Sequence, residues 1–406
     1  MGAFSGPFST YNSVETALNH GTIFRIRDVE SSVNSRNNNG AEFYQLLSSA
    51  RTGDSATEPR VEWGETDKNP NYLVVKTAAT SGATDITVTD AYQAVAGDQM
   101  RNDRTGELIR IDAVDDADTI STDSATGYGR GFAGSTAAAM VAGDRLIKMG
   151  NVLAEEGKAA DSRNGTPTPF WNYIQPFQKT WTATKLQNSS DMLDGVGQFN
   201  AATLASAWEL DEEVNATLWF GRRNMVVAAD GNLYTMNGFD QQVKTYAFDF
   251  SNIAVPSWTM LNEAFSPMFQ SGASSNEKMF FCGQGAYSSF TQAARAQGIK
   301  FENYETLNGT NVKMIEVDGG TIHLVKDYRT FKGSMSGSGR IVDMSNIEIS
   351  IYNGWDRMVI PNVQDNDQPT VRKDMAMQAL TLKVKFEDTH GIVDGLSTAF
   401  NGIRVD

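Results

Sequence analysis

The residues Gln198–Phe220, QFNAATLASAWELDEEVNATLWF, run without a single proline or glycine. Leu204, Ala207, Leu210, Val214 and Leu218 recur at steps of three and four, which places them on one face of a helix. Ser206, Glu209, Glu212 and Glu213 fall largely on the other side, and Trp208 and Trp219 flank the apolar stripe. Gly221 follows the last apolar residue, where a left-handed stop meets no Cβ clash, and Arg222-Arg223 add positive charge at the negative end of the helix dipole. A helix of this length extends roughly 34 Å. The spacing therefore predicts a long beam around which a large domain must be built.

The chain has 406 residues, enough for two or three domains, and 40% of them are hydrophobic, which supports real cores. A net charge of −15 repels nucleic-acid phosphate unless the basic residues are segregated, so general DNA binding is not expected. The single cysteine, Cys282, excludes a disulfide framework and a Cys-based zinc site. His20, His323 and His390 are far apart and lack HxxxH or HExxH spacing, so neither a His metal site nor a His-based triad is predicted. No run approaches the ~18 apolar residues of a membrane span. The first residues, MGAFSGPFSTYNS, show neither a secretory signal nor, with Gly6 where Ser or Thr is required, a myristoylation site.

Residues 1–40 are polar and turn-rich, with one alternating piece at 22–27 that reads as a strand on a solvated arm or, as the alternative, on an arm lying along a neighbouring subunit. A short amphipathic helix is expected at 41–50, and a strand at 60–64 with Trp63 as its anchor. Between 72 and 150 short strands come quickly: 72–77, 84–89, 106–114, 118–122 and 144–148. Gly and Asp turns separate them, with similar turns at Gly97-Asp98 and Gly143-Asp144. This spacing predicts a small all-β module carried as an insertion. The segment Pro167-Thr168-Pro169-Phe170-Trp171-Asn172-Tyr173-Ile174-Gln175-Pro176-Phe177 must be extended, because proline fixes φ and interrupts helix. Its aromatics, Phe170 to Phe177, need cover and are expected to find it on a neighbouring subunit. Residues 178–186 continue as an alternating strand with Trp181 and Ala183 on one face.

Beyond the long helix, 232–238 reads as a turn-rich connection, 258–270 as a helix broken or bent at Pro267, 277–283 as a buried strand and 286–297 as a short helix. Residues 312–317 and 321–326 form a hairpin across Asp318-Gly319-Gly320. Residues 333–339 read as a Ser/Gly loop. Strands follow at 340–342 and 346–352, then a central strand at 376–386. The end, 391–405, reads as a turn and a short strand.

Catalytic signatures are missing. There is no GxSxG, Walker, HRD or metal-triad pattern. The glycine-rich run from Gly127 to Gly134 lacks the strand before and the long helix after that a phosphate loop requires, and reads as a flexible loop of the β module. Asp112, Asp115, Asp116 and Asp118 lack calcium-loop spacing and read as a solvated hairpin tip. Glu212-Glu213 lie on the charged helix face beside Glu209, which suits a solvated surface or an intersubunit salt bridge better than acid–base catalysis. No catalytic, cofactor-binding or metal residues are assigned, and no cofactor is expected.

The order of these elements resembles the major capsid proteins of tailed bacteriophages. The likeness is carried by Val61-Glu62-Trp63; by the run from Gly129 to Ala137 leading to Ala142-Gly143-Asp144; by Asn172-Tyr173-Ile174-Gln175; and by the long helix with Glu209, Glu212 and Glu213. It continues through Met236-Asn237-Gly238, Ile341-Val342-Asp343-Met344, Leu380-Thr381-Leu382, and His390 with Gly391-Ile392-Val393-Asp394-Gly395-Leu396. Each motif alone is weak, while their order is specific from about residue 40 onward.

The resemblance implies an α+β Hong Kong 97-type capsid fold with a small all-β insertion domain. Its parts would be an N-terminal arm and short helix (1–50), an extended loop (51–71 and 151–190), the inserted β domain (72–150), a peripheral domain with the long spine helix (191–255 and 341–406) and an axial domain (256–340). It further implies a non-enzymatic shell subunit forming hexamers and pentamers of an icosahedral head. That head encloses double-stranded DNA without sequence-specific binding and without a membrane. A separate scaffolding protein and a portal are the expected partners, with a decoration protein left open, assembly in the host bacterial cytoplasm and residence in the virion. A nanocompartment shell protein of the encapsulin type is the alternative.

Overall fold

The computed structural model describes residues 40–396, apart from 51, 67–69, 124–126, 153–154, 156–166, 189–197, 230, 254–255, 299–301, 304–312, 328 and 365–369. The arm strand expected at 22–27 lies outside the described residues. The chain divides into two compact units, one of Met1–Val61 with Trp171–Asp406 and one of Glu62–Phe170.

The first helix, α1 (Glu42–Ala50), buries Phe43, Tyr44, Leu46 and Leu47 on one side. Strand β1 (Arg60–Glu65) leads into the second unit, which is built from β2 (Tyr72–Val74), β3 (Asp85–Thr87), β4 (Asp98–Asn102), β5 (Leu108–Asp116), β6 (Thr119–Thr122) and β7 (Arg145–Asn151). These pair antiparallel in the order β2-β7-β4-β5-β6-β3. A further antiparallel bridge between Val75 and Val88 joins the ends of β2 and β3. The sheet thereby closes into a small barrel with no free edge, which disposes of the pairing hazard of open strands. Alternate residues fill it: Leu73, Val75, Ile86, Val88, Met100, Ile109, Ile111, Ile120 and Leu146 form one buried cluster.

Two corners of the barrel are copies of each other. The tetrapeptide Val-Ala-Gly-Asp occurs at 95–98 and at 141–144, entering β4 and β7, which pair with one another. In each, the glycine takes positive φ (89° at Gly97, 94° at Gly143). In each, the aspartate accepts the backbone N–H of the valine three residues earlier at 3.0 Å. Each aspartate then receives a cation from the other strand's side: Lys148 reaches Asp98 at 2.6 Å, and Arg104 reaches Asp144 at 2.7 Å. Arg104 holds the Asp144 carboxyl well below the usual carboxylate range.

Strand β8 (Thr168–Tyr173) pairs with β1 in a two-stranded sheet. In the other unit, strand β9 (Gln175–Thr184) alternates as its sequence predicts, with Phe177, Trp181 and Ala183 inward. The long helix α2 spans Gln198–Phe220, as its periodicity predicts. Among its described positions the fully buried apolar ones are Leu210, Val214, Leu218 and Trp219, while Ala202 packs on the same core half-buried. Leu204 is 54% exposed and Ala207 is exposed, contrary to the expectation of one stripe along the whole length. Helical spacing fixes which residues share a face but not whether that face is covered.

After α2 the chain forms a hairpin of β10 (Asn224–Ala228) and β11 (Gly231–Thr235). The turn-rich connection expected at 232–238 is thus half strand: cross-strand pairing organises Asn232 to Thr235, and the turn lies earlier, before Gly231. Then come β12 (Ala247–Asp249), helix α3 (Trp258–Phe269), β13 (Glu277–Cys282), helix α4 (Gln284–Ala296), β14 (Glu302–Asn303), β15 (Lys313–Val317), β16 (Gly320–Lys326) and β17 (Gly339–Val342). Pro267 does not break α3, because it sits in the last turn, where little helix remains to lose a hydrogen bond.

The chain finishes with β18 (Ile347–Ile351), β19 (Met358–Ile360), β20 (Val371–Val384) and β21 (Gly391–Asp394). A seven-stranded mixed sheet runs β12-β21-β17-β13-β16-β15-β14. Strand β20 is central to a second sheet, with β9 on one side and β18 and β19 on the other. It begins five residues before the sequence suggested, because β9 pairs with that polar first half.

Two apolar cores serve this unit. One joins α1, α2, β9 and β20 around Trp219, Val214 and Leu380. The other packs α3 and α4 on the seven-stranded sheet around Phe265, Phe280 and Phe290. Burying a side chain such as Val214 or Leu218 contributes about 1.5–3 kcal/mol. Placing a carboxylate at Val214 or Leu210 removes that term and buries an unpaired charge. Val214→Asp and Leu210→Asp are therefore expected to abolish folding outright. Circular dichroism of the soluble fraction checks this: a native-like spectrum from soluble mutant monomer would contradict it.

Candidate assembly surface and buried polar clusters

The acidic face of α2 is engaged by its own chain. Lys179 of β9 reaches Glu213 at 2.6 Å and Glu209 at 3.0 Å, and Arg329 reaches Glu212 at 2.9 Å. The bridges are thus made within the chain, where the sequence suggested solvated surface or a bridge between subunits. Of the acidic residues near the barrel hairpin, Asp118 pairs with Lys76 at 3.0 Å at the turn between β5 and β6. Among the described residues no group of three or more His, Cys, Asp or Glu is placed to hold a metal ion. Cys282 is buried, and burial pushes its thiol up, away from reactivity.

The glycine-rich loop is not the flexible element its composition suggests. Arg130 is buried within it and meets the fully buried Glu107 through two parallel bonds of 2.7 and 3.0 Å. The remaining guanidinium N–H groups donate to the carbonyls of Thr80, Ala83 and Ala138. Glu107 in turn accepts the backbone N–H of Gly131 and of Ala138. A buried pair persists when its donors and acceptors are this fully used. Glycine counts report freedom of the backbone, whereas a single arginine here removes it.

Three further polar clusters lie in the other unit. Arg340 is buried between Asp240 and Asp394. Lys278 and Asp343, both fully buried, meet at 3.1 Å, and Lys278 also donates to the Thr389 carbonyl. Burial pulls the Lys278 ammonium down, against the pull of Asp343. His390 accepts the backbone N–H of Asp343, and burial brings its imidazole down to about 4, so it is neutral at physiological pH. His323 sits on β16 beside Glu277, far in sequence from His390, and the two form no shared ligand set.

The third cluster anchors α1 to α2. Asn215 accepts the Tyr44 backbone N–H at 3.0 Å and donates to Thr330 Oγ1 at 2.8 Å. Beside it Glu42 has a buried carboxylate oxygen without a hydrogen-bond partner. Burial raises Glu42 to about 7; Asp327 and Glu212 push in the same direction and Arg329 opposes them.

The aromatic segment is divided between cover and exposure. Ile174 and Phe177 are buried by their own chain, which corrects the expectation that the whole run is covered by a neighbour: extended backbone sends successive side chains to opposite sides. Phe170 stays exposed, its ring stacked near-parallel to Trp63 with centres 6.3 Å apart. Trp171 lies between two guanidinium groups, Arg223 at 3.5 Å and Arg60 at 4.2 Å from its ring centre. Tyr173 leads from there to Tyr234, with ring centres 5.2 Å apart, at the root of the β10–β11 hairpin. The hairpin itself holds Met225, Val226, Val227 and Leu233 in the open.

Residues 10–397 match the family model described as SU10 major capsid protein. Among solved structures, the chain is similar to the subunit in the cyanophage A-1(L) capsid asymmetric unit, at 10% identity, covering 94% of this chain and 99% of that one with a TM-score of 0.50. It is also similar to a chain of Mycobacterium phage Bobi, at 8% identity over 94% and 98% with a TM-score of 0.47. The holo-SrpI encapsulin of Synechococcus elongatus PCC 7942 matches at 11% identity over 59% and 80% with a TM-score of 0.42. No curated protein sequence matches the chain.

Two outcomes follow from the buried charges. Glu42 titrates at 4.5 when free and near 7 when folded, so its contribution is whole below 4.5 and is lost as pH rises through 7. Glu42→Gln should raise Tm at pH 8 and leave it nearly unchanged at pH 5, read by calorimetry at both values. Arg130→Met should leave Glu107 buried without its charge partner and destabilise the barrel by about 3–5 kcal/mol, with Arg130→Met/Glu107→Leu recovering most of the loss. Hydrogen exchange at the Ile109 and Ile120 amides measures both variants.

Proposed function

Since the chain belongs to the SU10 major capsid protein family, we propose that it is the shell subunit whose copies form the hexamers and pentamers of an icosahedral phage head around double-stranded DNA. The observation that carries this reading is the family match running from residue 10 to residue 397. The fold is the Hong Kong 97-type α+β capsid fold, shared with the cyanophage capsid subunit over nearly the whole of both chains. The polar residues singled out by the sequence are engaged in structural pairs rather than converging on a cleft, which supports a structural role over an enzymatic one.

In this reading α2 is the spine helix of a peripheral domain (191–255 and 341–406). Residues 256–340 supply most of an axial domain, supported by the separate core around Phe280 and Phe290. Residues 72–150 are the inserted β domain, and 51–71 with 151–190 are the extended loop. A net charge of −15 lets such a subunit enclose a polyanion without gripping it, so that the genome can enter and leave. A separate scaffolding protein and a portal are the partners in this reading, with a decoration protein left open, assembly in the host bacterial cytoplasm and the virion as the final location.

Expression of the full chain with candidate scaffolding protein, followed by sedimentation and negative-stain microscopy, tests the reading. Closed megadalton shells are the expected result. A chain that stays monomeric with its assembly partners present would overturn it, and shells isolated with enzyme cargo in place of DNA would favour a nanocompartment.

A further inference from the structure

Asparagine followed by glycine is chemically labile, because glycine has no Cβ to shield its amide nitrogen from the asparagine side chain. Among the described residues the pair occurs twice, at Asn237-Gly238 and at Asn353-Gly354. Both pairs have bulky neighbours, Met236 and Phe239 in one case and Tyr352 and Trp355 in the other, so as bare sequence they are alike. The fold treats them oppositely.

At Asn237-Gly238 the reacting atoms are engaged. Asn237 Oδ1 accepts the Arg223 backbone N–H at 2.7 Å, and the Gly238 N–H donates to the Gly221 carbonyl at 2.8 Å. The Asn237 backbone is held as well: its N–H donates to Asn172 Oδ1 at 2.8 Å, and its carbonyl accepts Asn172 Nδ2 at 3.0 Å. Gly238 is buried so closely that a Cβ would stand 2.6 Å from the Gly221 nitrogen and 2.7 Å from the Thr217 and Trp219 carbonyl oxygens. No space is left for a side chain to swing onto that nitrogen.

At Asn353-Gly354 the feet are fixed and the tip is free. The Trp355 N–H donates to the Tyr352 carbonyl at 2.9 Å and closes a β-turn. Strand β20 holds both feet: the Tyr352 N–H donates to the Ala379 carbonyl at 2.9 Å, and the Ala379 N–H to the Trp355 carbonyl at 3.0 Å. The Asn353 N–H donates to the Ala56 carbonyl at 2.9 Å. Both tip residues are exposed. Gly354 has a φ of 79°, which favours glycine, and nothing lies within 4 Å of where its Cβ would stand. Neither the Asn353 side-chain amide nor the Gly354 N–H is hydrogen-bonded among the described residues.

We propose that Asn353-Gly354 is a site of spontaneous deamidation, at which the folded chain acquires a new carboxylate. Solvent base takes the Gly354 amide proton, and the nitrogen attacks Asn353 Cγ. The Cγ–Nδ2 bond breaks, ammonia leaves with a proton from water, and a five-membered succinimide remains. Water then opens the ring at either carbonyl. Addition at Cγ leaves an aspartate side chain. Addition at the main-chain carbonyl reroutes the backbone through Cγ as isoaspartate. The balance is one water consumed and one ammonia released, and each event adds a negative charge to a chain already at −15. The free tip can take up the longer isoaspartyl backbone while the feet stay bonded.

The test incubates the full-length chain at pH 8, folded and in guanidinium chloride, and follows both sites by peptide mass mapping. In the folded chain, conversion at Asn353 should run at least tenfold faster than at Asn237. In the unfolded chain the two rates should be similar. Electron-transfer fragmentation should find isoaspartate as well as aspartate at position 353. Equal rates in the folded chain would overturn the proposal. A tenfold gap that persists after unfolding would assign the difference to local sequence and overturn the role given to the fold. Aspartate without isoaspartate would exclude attack by the Gly354 nitrogen.

Discussion

The indole of Trp219, near the end of the long helix, is where the larger unit is tied together. It is fully buried and stacks on Phe43 of α1 with ring centres 3.8 Å apart. Phe281 of β13, Phe239 and Phe331 meet the same ring at 5.4, 5.4 and 5.7 Å. One side chain thus joins the short first helix, the spine, the seven-stranded sheet and two connecting segments. Aromatic pairs add roughly 0.5–1.5 kcal/mol each beyond the area they bury. One turn earlier, Asn215 fixes by hydrogen bonds the direction from which α1 and the 327–331 segment approach. Apolar packing supplies the stability there, and the asparagine restricts the geometry.

The same division of labour recurs at the buried ion pairs. Arg130 with Glu107, Arg340 with Asp240 and Lys278 with Asp343 each join segments distant in sequence. Their net stabilisation is modest, because desolvation opposes attraction, while removal of one partner is severe. Such pairs therefore act as alignment pins. They are well suited to a subunit whose segments must keep fixed directions when copies press on one another.

Much of this was legible in the sequence. The long helix, the strand alternation around Trp181, the hairpin through Gly319 and the run of short strands all follow from periodicity and turn chemistry. What was not legible depends on cover. Leu204 and Leu218 obey the same spacing, yet one is exposed and the other buried. The β10–β11 ribbon escaped notice because Asp230-Gly231-Asn232 and Asn237-Gly238 read equally well as turns, and only cross-strand pairing decides between them. The glycine-rich loop misled because backbone freedom is visible in composition, while Glu107, the acid that restrains Arg130, lies 23 residues away. Long-range electrostatic partners leave no periodic trace.

The closed barrel has a consequence for how such a chain can change. Its hydrogen-bonded ring returns on itself through Val75 and Val88, and its apolar core is distinct from the one around the long helix and from the one under α3 and α4. Selection on Ile109 or Ile120 therefore comes from the barrel's own packing, and selection on Val214 or Trp219 from elsewhere. The segment 62–170 can accumulate substitutions, swap its turns or be exchanged as a block while the spine keeps its register.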